Sequence, residues 1–239
     1  VVLTVAAWLG ATRFEKLHAE AAAAREEFRV IQAATLTLLG LIISFTFSMA
    51  LHRYEERKSF ESAEANAIAT AYMRAELLPP ADAARVRSLL GSYLEQRLTY
   101  YQTRSLRTLA EANLATARIE DLLWRAVTGP AKQNPNSVTA LAVASINDVV
   151  RTQGDTQASW HNRIPLTAWM MMGSIALFAM LLVGIGVERP KRFPHILAAL
   201  PLIIAIAFFL IADVESPRLG IIRVVPDSLL ELAQSLQSP

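Results

Sequence analysis

Catalytic chemistry finds little to work with in this chain, and ion chemistry finds one stretch. The four histidines, His18, His52, His161 and His195, are scattered, and none has a second ligand at metal spacing. Cysteine is absent, which excludes thiolate metal sites, disulfides and a Cys nucleophile. There is no Gly-rich phosphate loop and no nucleophile elbow. Neither an enzyme nor a bound cofactor or metal is expected. The patterned stretch is Val30 to Leu51, VIQAATLTLLGLIISFTFSMAL, which runs directly into His52-Arg53-Tyr54-Glu55-Glu56-Arg57-Lys58. Thr37, Leu41, Phe45, Ser48 and His52 fall at i, i+4, i+8, i+11 and i+15, on one helical face. A ring of such apolar side chains can gate by dewetting and still pass weakly hydrated anions. A Phe edge carries partial positive charge, and His52 and Arg53 at the exit raise the local anion concentration. The spacing also suits ordinary packing or lipid contact, since apolar residues at helical period are the default for any buried helix.

The element that must position these residues is a membrane span. Val30 to Leu51 is twenty-two residues without a charge, enough to cross the ~30 Å hydrocarbon core of a bilayer. No Gly or Pro lies between His52 and Leu78, so the helix should leave the membrane unbroken. Composition agrees with a mixed protein. At 53% apolar, mean hydropathy +0.32 and 18% charged, the chain is too apolar for a soluble domain and too charged to sit wholly in lipid. A net charge of +2 gives no basic surface for nucleic acid. Ile164 to Val187 and Phe193 to Ala212 read as two further spans, the first with Trp160 and Trp169 as interfacial anchors and the second kinked at Pro201. His195 falls at headgroup level. Val1 to Ala11 is about half a span long and reads as the end of another transmembrane helix, not a signal-peptide remnant. The spans hold no Asp, Glu, Lys or Arg in their interiors, which argues against coupled secondary transport.

The polar stretches read as helices. Thr12 to Arg29 is Ala-rich with mixed charge. The helix from Arg53 ends at Pro79-Pro80, and Asp82 should cap the next, to about Tyr101, with Arg85, Arg87, Glu95, Gln96 and Arg97 around its apolar positions. A third runs from about Ser105 to Thr128 and stops at Gly129-Pro130. A fourth, capped by Asn136 or Ser137, reaches about Val150. Gly220 to Val225 looks extended, and Asp227 to Leu236 is a short amphipathic helix. The expected organisation is residues 1–51 for the first two membrane helices and their connection, 52–163 for a helical bundle, 164–212 for the last two spans, and 213–239 for a tail. Glu64 and Asn66 in the Ala-rich helix suit a capping or inter-helix hydrogen bond, ahead of a subunit contact or an ion-path constriction. Asp213, Pro217 and Gly220 suit a structural turn in the tail.

Two distant segments carry a family resemblance. Leu39-Gly40 through Phe45, then Arg53-Tyr54-Glu55-Glu56-Arg57-Lys58, then Glu64-Ala65-Asn66 and Arg74, resemble the second-helix region of bestrophin anion channels. Asp213 to Gly220, DVESPRLG, followed by Val225-Pro226-Asp227 and Leu229-Leu230, is similar to that family's acidic-Pro-Phe-Gly strand and the segment after it. Arg218 stands where the family has Phe, and the calcium-binding acidic cluster of animal members has no counterpart. The resemblance implies an all-α membrane protein with four transmembrane helices, the first truncated, and a cytosolic helical bundle. It implies a homopentamer in the inner membrane, passing chloride or other small anions, with Phe45, Leu41 and Thr37 at the neck. Charge alone does not orient the chain. Arg13, Lys16, Arg25, Arg29, Arg189, Lys191 and Arg192 lie on the side of the last short loop, and an equal number of cations lies opposite. The resemblance places the bundle in the cytosol. A non-conducting scaffold or sensor whose bundle binds a partner remains an alternative. So does a cation channel, because Glu55, Glu56, Glu61 and Glu64 form an acidic run after the neck face.

Overall fold

The computed structural model describes residues 1–13, 25–187 and 194–237. His18, residues 14–24 of the polar Thr12 to Arg29 stretch and the 188–192 loop lie outside the described residues. Every regular element among those described is helical: α1 Val2–Arg13, α2 Arg25–Arg74, a short 3-10 turn Ala75–Leu77, α3 Pro80–Gln102, α4 Leu106–Gln133, α5 Ser137–His161, α6 Leu166–Ile185, α7 Pro194–Glu215 and α8 Asp227–Gln237. The chain divides into two compact units. One comprises Val1–His52 and Arg163–Glu215; the other comprises Arg53–Asn162 and Ser216–Pro239.

Helix α2 runs 50 residues without interruption. Within its apolar stretch the hydroxyls of Thr35, Ser44 and Thr46 donate to the carbonyls of Ile31, Gly40 and Ile42 at 2.8–2.9 Å. Polar atoms that would be costly in hydrocarbon are thus satisfied inside the helix. Helices α2, α6 and α7 supply the three stretches long and apolar enough to cross a membrane.

In the first unit, small residues set the helix spacing. Ala7, Gly10 and Ala11 of α1 are buried against α6, where Gly184 is buried in turn. A Cβ on Gly184 would collide with the Ala7 carbonyl, and one on Gly10 with the Leu181 carbonyl. Backbones that close need glycine on both helices. Ala7, Leu39, Ala176, Met180 and Ile204 form the core of this unit.

In the second unit, the predicted helix starts and stops need three corrections. Asp82 does not cap α3. Pro79 takes the N-cap position and Pro80 the first turn, where a missing N–H costs nothing, while Asp82 only faces the positive end of the helix dipole. Gly129-Pro130 does not end α4, because Pro130 falls in the last turn, Asn134 N–H still reaches the Pro130 carbonyl at 3.0 Å, and Ala126 and Val127 are held in the core. Helix α5 passes well beyond Val150 to His161, since Thr152, Thr156 and Trp160 continue its buried face through Gly154. Its start is fixed by a reciprocal cap. The Asn136 side chain accepts from the N–H groups of Val138 and Thr139, both at 2.9 Å, and the Thr139 hydroxyl accepts from Asn136 N–H. No strand forms over 220–225.

Gly184→Leu should destabilise the first unit by at least about 1–3 kcal/mol, because the obstacle is backbone. Gly173→Ala, with nothing within 4 Å of the added carbon, should leave it unchanged. Thermal unfolding in detergent compares the two.

Candidate functional site

All five residues of the neck face, Thr37, Leu41, Phe45, Ser48 and His52, are exposed in the single chain. Phe45 is 63% exposed and Leu41 50%, although Leu39 two positions earlier is 2% exposed. One side of α2 therefore packs, through Leu39, Thr46 and Ala50, while the side bearing the stripe has no partner within the chain. The contrast extends to the spans as a set: 11% of the apolar stretch of α2 is buried inside the chain, against 33% for that of α7. Thr37 and Ser48 place hydroxyls at the two ends of an apolar pair, and His52 follows one turn later. Leu38 and Met49, on an adjacent flank, are about half exposed too.

The second half of α2 does something different. Glu64 is wholly buried, and its carboxylate is the hub of a polar cluster. Arg97 of α3 donates to both of its oxygens, through Nε and, at 3.2 Å, through Nη2. The Tyr101 hydroxyl and the Thr156 hydroxyl of α5 each donate to Glu64 Oε2 at 3.2 Å. Burial alone would depress the Arg97 pKa, but the adjacent Glu64 carboxylate outweighs it and holds the guanidinium charged. Burial pushes the Tyr93 and Tyr101 phenols upward, and the Glu64 charge adds to that.

Glu61, one turn earlier, is also buried. It accepts from the Leu229 N–H at 2.8 Å, which makes it the cap for the start of α8. Arg57, a further turn back, donates to the carbonyls of Ser159 and Asn162 at 3.4 and 3.1 Å, closing the C-terminal end of α5. Burial raises the Glu61 carboxyl above its ordinary range, more than the Leu229 and Ser228 bonds lower it.

These contacts revise the sequence picture. The acidic run is not one surface, for Glu55 and Glu56 are exposed whereas Glu61 and Glu64 are buried on protein partners. Arg97 belongs to the buried face of α3, not its polar surround. The signal was present in the spacing, since Arg97 falls four residues from both Tyr93 and Tyr101, which are buried. Asn66 is exposed, and Asp213, Pro217 and Gly220 are buried. His161 lies on the surface with Nδ1 2.7 Å from the Gln157 carbonyl of its own helix. No group of three His, Asp or Glu among the described residues is placed to hold a metal.

A family model, the Bestrophin-like domain, matches residues 2–229. This chain belongs to the bestrophin-like family. Bestrophin-type folds are also what it resembles among solved structures. A bacterial bestrophin homologue from Klebsiella pneumoniae, phased by zinc anomalous scattering, aligns with a TM-score of 0.68 at 13% identity, over 99% of this chain and 97% of its own. A substituted form of a bacterial bestrophin homologue from the same organism gives 0.70 at 12% identity, over 98% and 96%. A structure described only as a membrane protein gives 0.71 at 12% identity, over 98% and 95%. At such identities these likenesses establish the fold. No protein among the curated ones matches. The chain is thus an all-α membrane protein of bestrophin-like architecture, and the resemblance read in its second helix and tail holds.

Breaking the buried pair should be costly. Glu64→Ala strands the Arg97 charge and should destabilise the second unit by about 3–5 kcal/mol, whereas Glu64→Leu with Arg97→Met should recover most of that loss. The pH response runs the other way from a salt-bridged acid. Glu61 and Glu120 are both raised by burial, so the stability they contribute is complete below the ordinary Glu range and is lost as pH rises through their higher folded values. Glu61→Gln should flatten that slope in thermal unfolding followed from pH 4 to pH 8, while keeping an acceptor for Leu229.

Proposed function

We propose that this bestrophin-like chain is the subunit of a homo-oligomeric channel, a pentamer by family likeness, that passes chloride and other small anions passively. The observation that carries the reading is the unpartnered stripe of α2, Leu41 and Phe45 flanked by Thr37 and Ser48 and followed by His52. In this reading copies of the stripe surround the axis. Five Phe edges present their positive rims to a partly dehydrated anion. The apolar ring repels bulk water when narrow, and a small widening restores conduction. His52 and Arg53 concentrate anions at the exit. The lipid bilayer takes up the remaining apolar surface of the spans, and exposed Leu219, Ile221, Ile222 and Val225 in the tail supply surface for a neighbouring copy. The protein sits as a multi-pass protein in the inner membrane, with the helical block and tail in the cytosol. The organisation into 1–51, 52–163, 164–212 and 213–239 follows this division of labour. Glu64, Asn66, Asp213, Pro217 and Gly220 shape the subunit instead of the ion path.

Cation conduction is the second reading, and exposed Glu55 and Glu56 favour it. The burial of Glu61 and Glu64 removes half of the charge that would drive it.

The test is flux through proteoliposomes. Wild-type protein should pass chloride, and Phe45→Ala should raise the rate by about tenfold, which is roughly 1.4 kcal/mol off the barrier. Replacing chloride with a large organic anion should shift the reversal potential; a potential that instead follows the cation gradient selects the cation reading. No flux across a range of voltages and pH values would reject the channel and leave a scaffold.

A further inference from the structure

Arg218 lies in a buried aromatic slot of the second unit. Its guanidinium carbon is 4.4 Å from the Tyr100 ring centroid and 4.1 Å from that of Trp160. Arg97 approaches the same Tyr100 ring at 4.3 Å, so one ring serves two guanidinium groups. The Tyr100 and Trp160 rings are 5.1 Å apart, and Tyr101 closes the slot at 5.4 Å from Trp160.

The carboxylates of this cluster, Glu64 and Glu120, act on Arg97. Glu64 is committed to Arg97. Arg218 donates to the Tyr100 backbone carbonyl and makes no ion pair among the described residues. Two further donors end blind: Arg97 Nη1, on a side chain with no exposure, and the indole Nε1 of Trp160, which is 5% exposed. Both unmet groups at this slot are donors. Donors in excess, a half-buried cation with no ion-pair partner among the described residues and faces already filled by guanidinium exclude a cationic guest. They suit an acceptor carrying negative charge. Burial lowers the Arg218 pKa, and Arg97 adds to that, so a counter-anion would relieve the strain of two like charges at one ring. A water molecule would satisfy one donor while leaving the charge unmatched.

We infer that Arg97, Arg218 and the Trp160 indole N–H bound a buried site for one small inorganic anion of the halide class. It involves none of the neck residues and stands whether or not the chain conducts. Occupied, it locks the tail, through Arg218, onto α3 and α5.

Bromide is the probe. Crystals or oriented samples of the full chain in bromide should give an anomalous peak in hydrogen-bonding reach of Arg218 and Trp160 Nε1. In detergent, chloride at constant ionic strength should raise the melting temperature saturably over gluconate. Trp160→Phe, which keeps the ring and deletes the donor, should weaken apparent chloride affinity by about tenfold, the scale of one hydrogen bond to a charged group. Arg218→Gln should abolish the effect. A water without anomalous signal at saturating bromide would overturn the inference, as would chloride stabilisation that survives both substitutions. Should Arg218→Gln fail to fold, the wild-type bromide map still decides.

Discussion

Every polar group taken out of water must find a partner, and helix α2 meets that demand twice in different currencies. Over its apolar half the backbone satisfies itself, and the hydroxyls of Thr35, Ser44 and Thr46 turn back onto carbonyls one turn earlier. Over its second half Arg57, Glu61 and Glu64 are buried one turn apart, each on protein partners: the end of α5, the start of α8, and the Arg97–Tyr101–Thr156 cluster. Three helices are therefore registered against α2 by directional contacts. Apolar contact alone would allow them to slide.

With these hydroxyls satisfied inside the helix, most of what remains exposed on the first half of α2 is apolar. Leu41 and Phe45 are left without a partner at no cost in hydrogen bonding. Such a surface is stable against lipid or against its own copies. In the proposed channel, the hydroxyls at Thr37 and Ser48 and the imidazole at His52 favour copies over lipid. Polar groups spaced along a lipid-facing stripe would gain nothing there, but beside a hydrated path they have work to do.

The sequence showed the spans and the unbroken α2 because hydrophobic length and the lack of Gly and Pro are local signals. It also narrowed the α5 cap to Asn136 or Ser137, since a cap needs only neighbours in the chain. Contacts between helices were harder to read. Gly10 and Gly184 matter because two backbones meet, and nothing near either residue announces its counterpart. Arg97 was grouped with the polar residues around it, since type was weighed above its spacing from Tyr93 and Tyr101. Gly129-Pro130 looked like a stop and the next helix was expected to end near Val150, yet core packing of Val127, Thr156 and Trp160 carries both helices further. The acidic run divided because burial sorts Glu55 and Glu56 from Glu61 and Glu64, a distinction that depends on which face packs. The neck residues were legible as a stripe, but periodicity does not say what a stripe faces.

The absence of cysteine makes that question direct to ask. A lone Phe45→Cys, oxidised in the intact membrane, should cross-link subunits to one another, and a water-soluble thiol reagent should then block anion flux through the reduced form. A Phe45→Cys protein that never cross-links and reacts only with lipid-soluble reagents would contradict the account, for the stripe would then face acyl chains and no path would run along it.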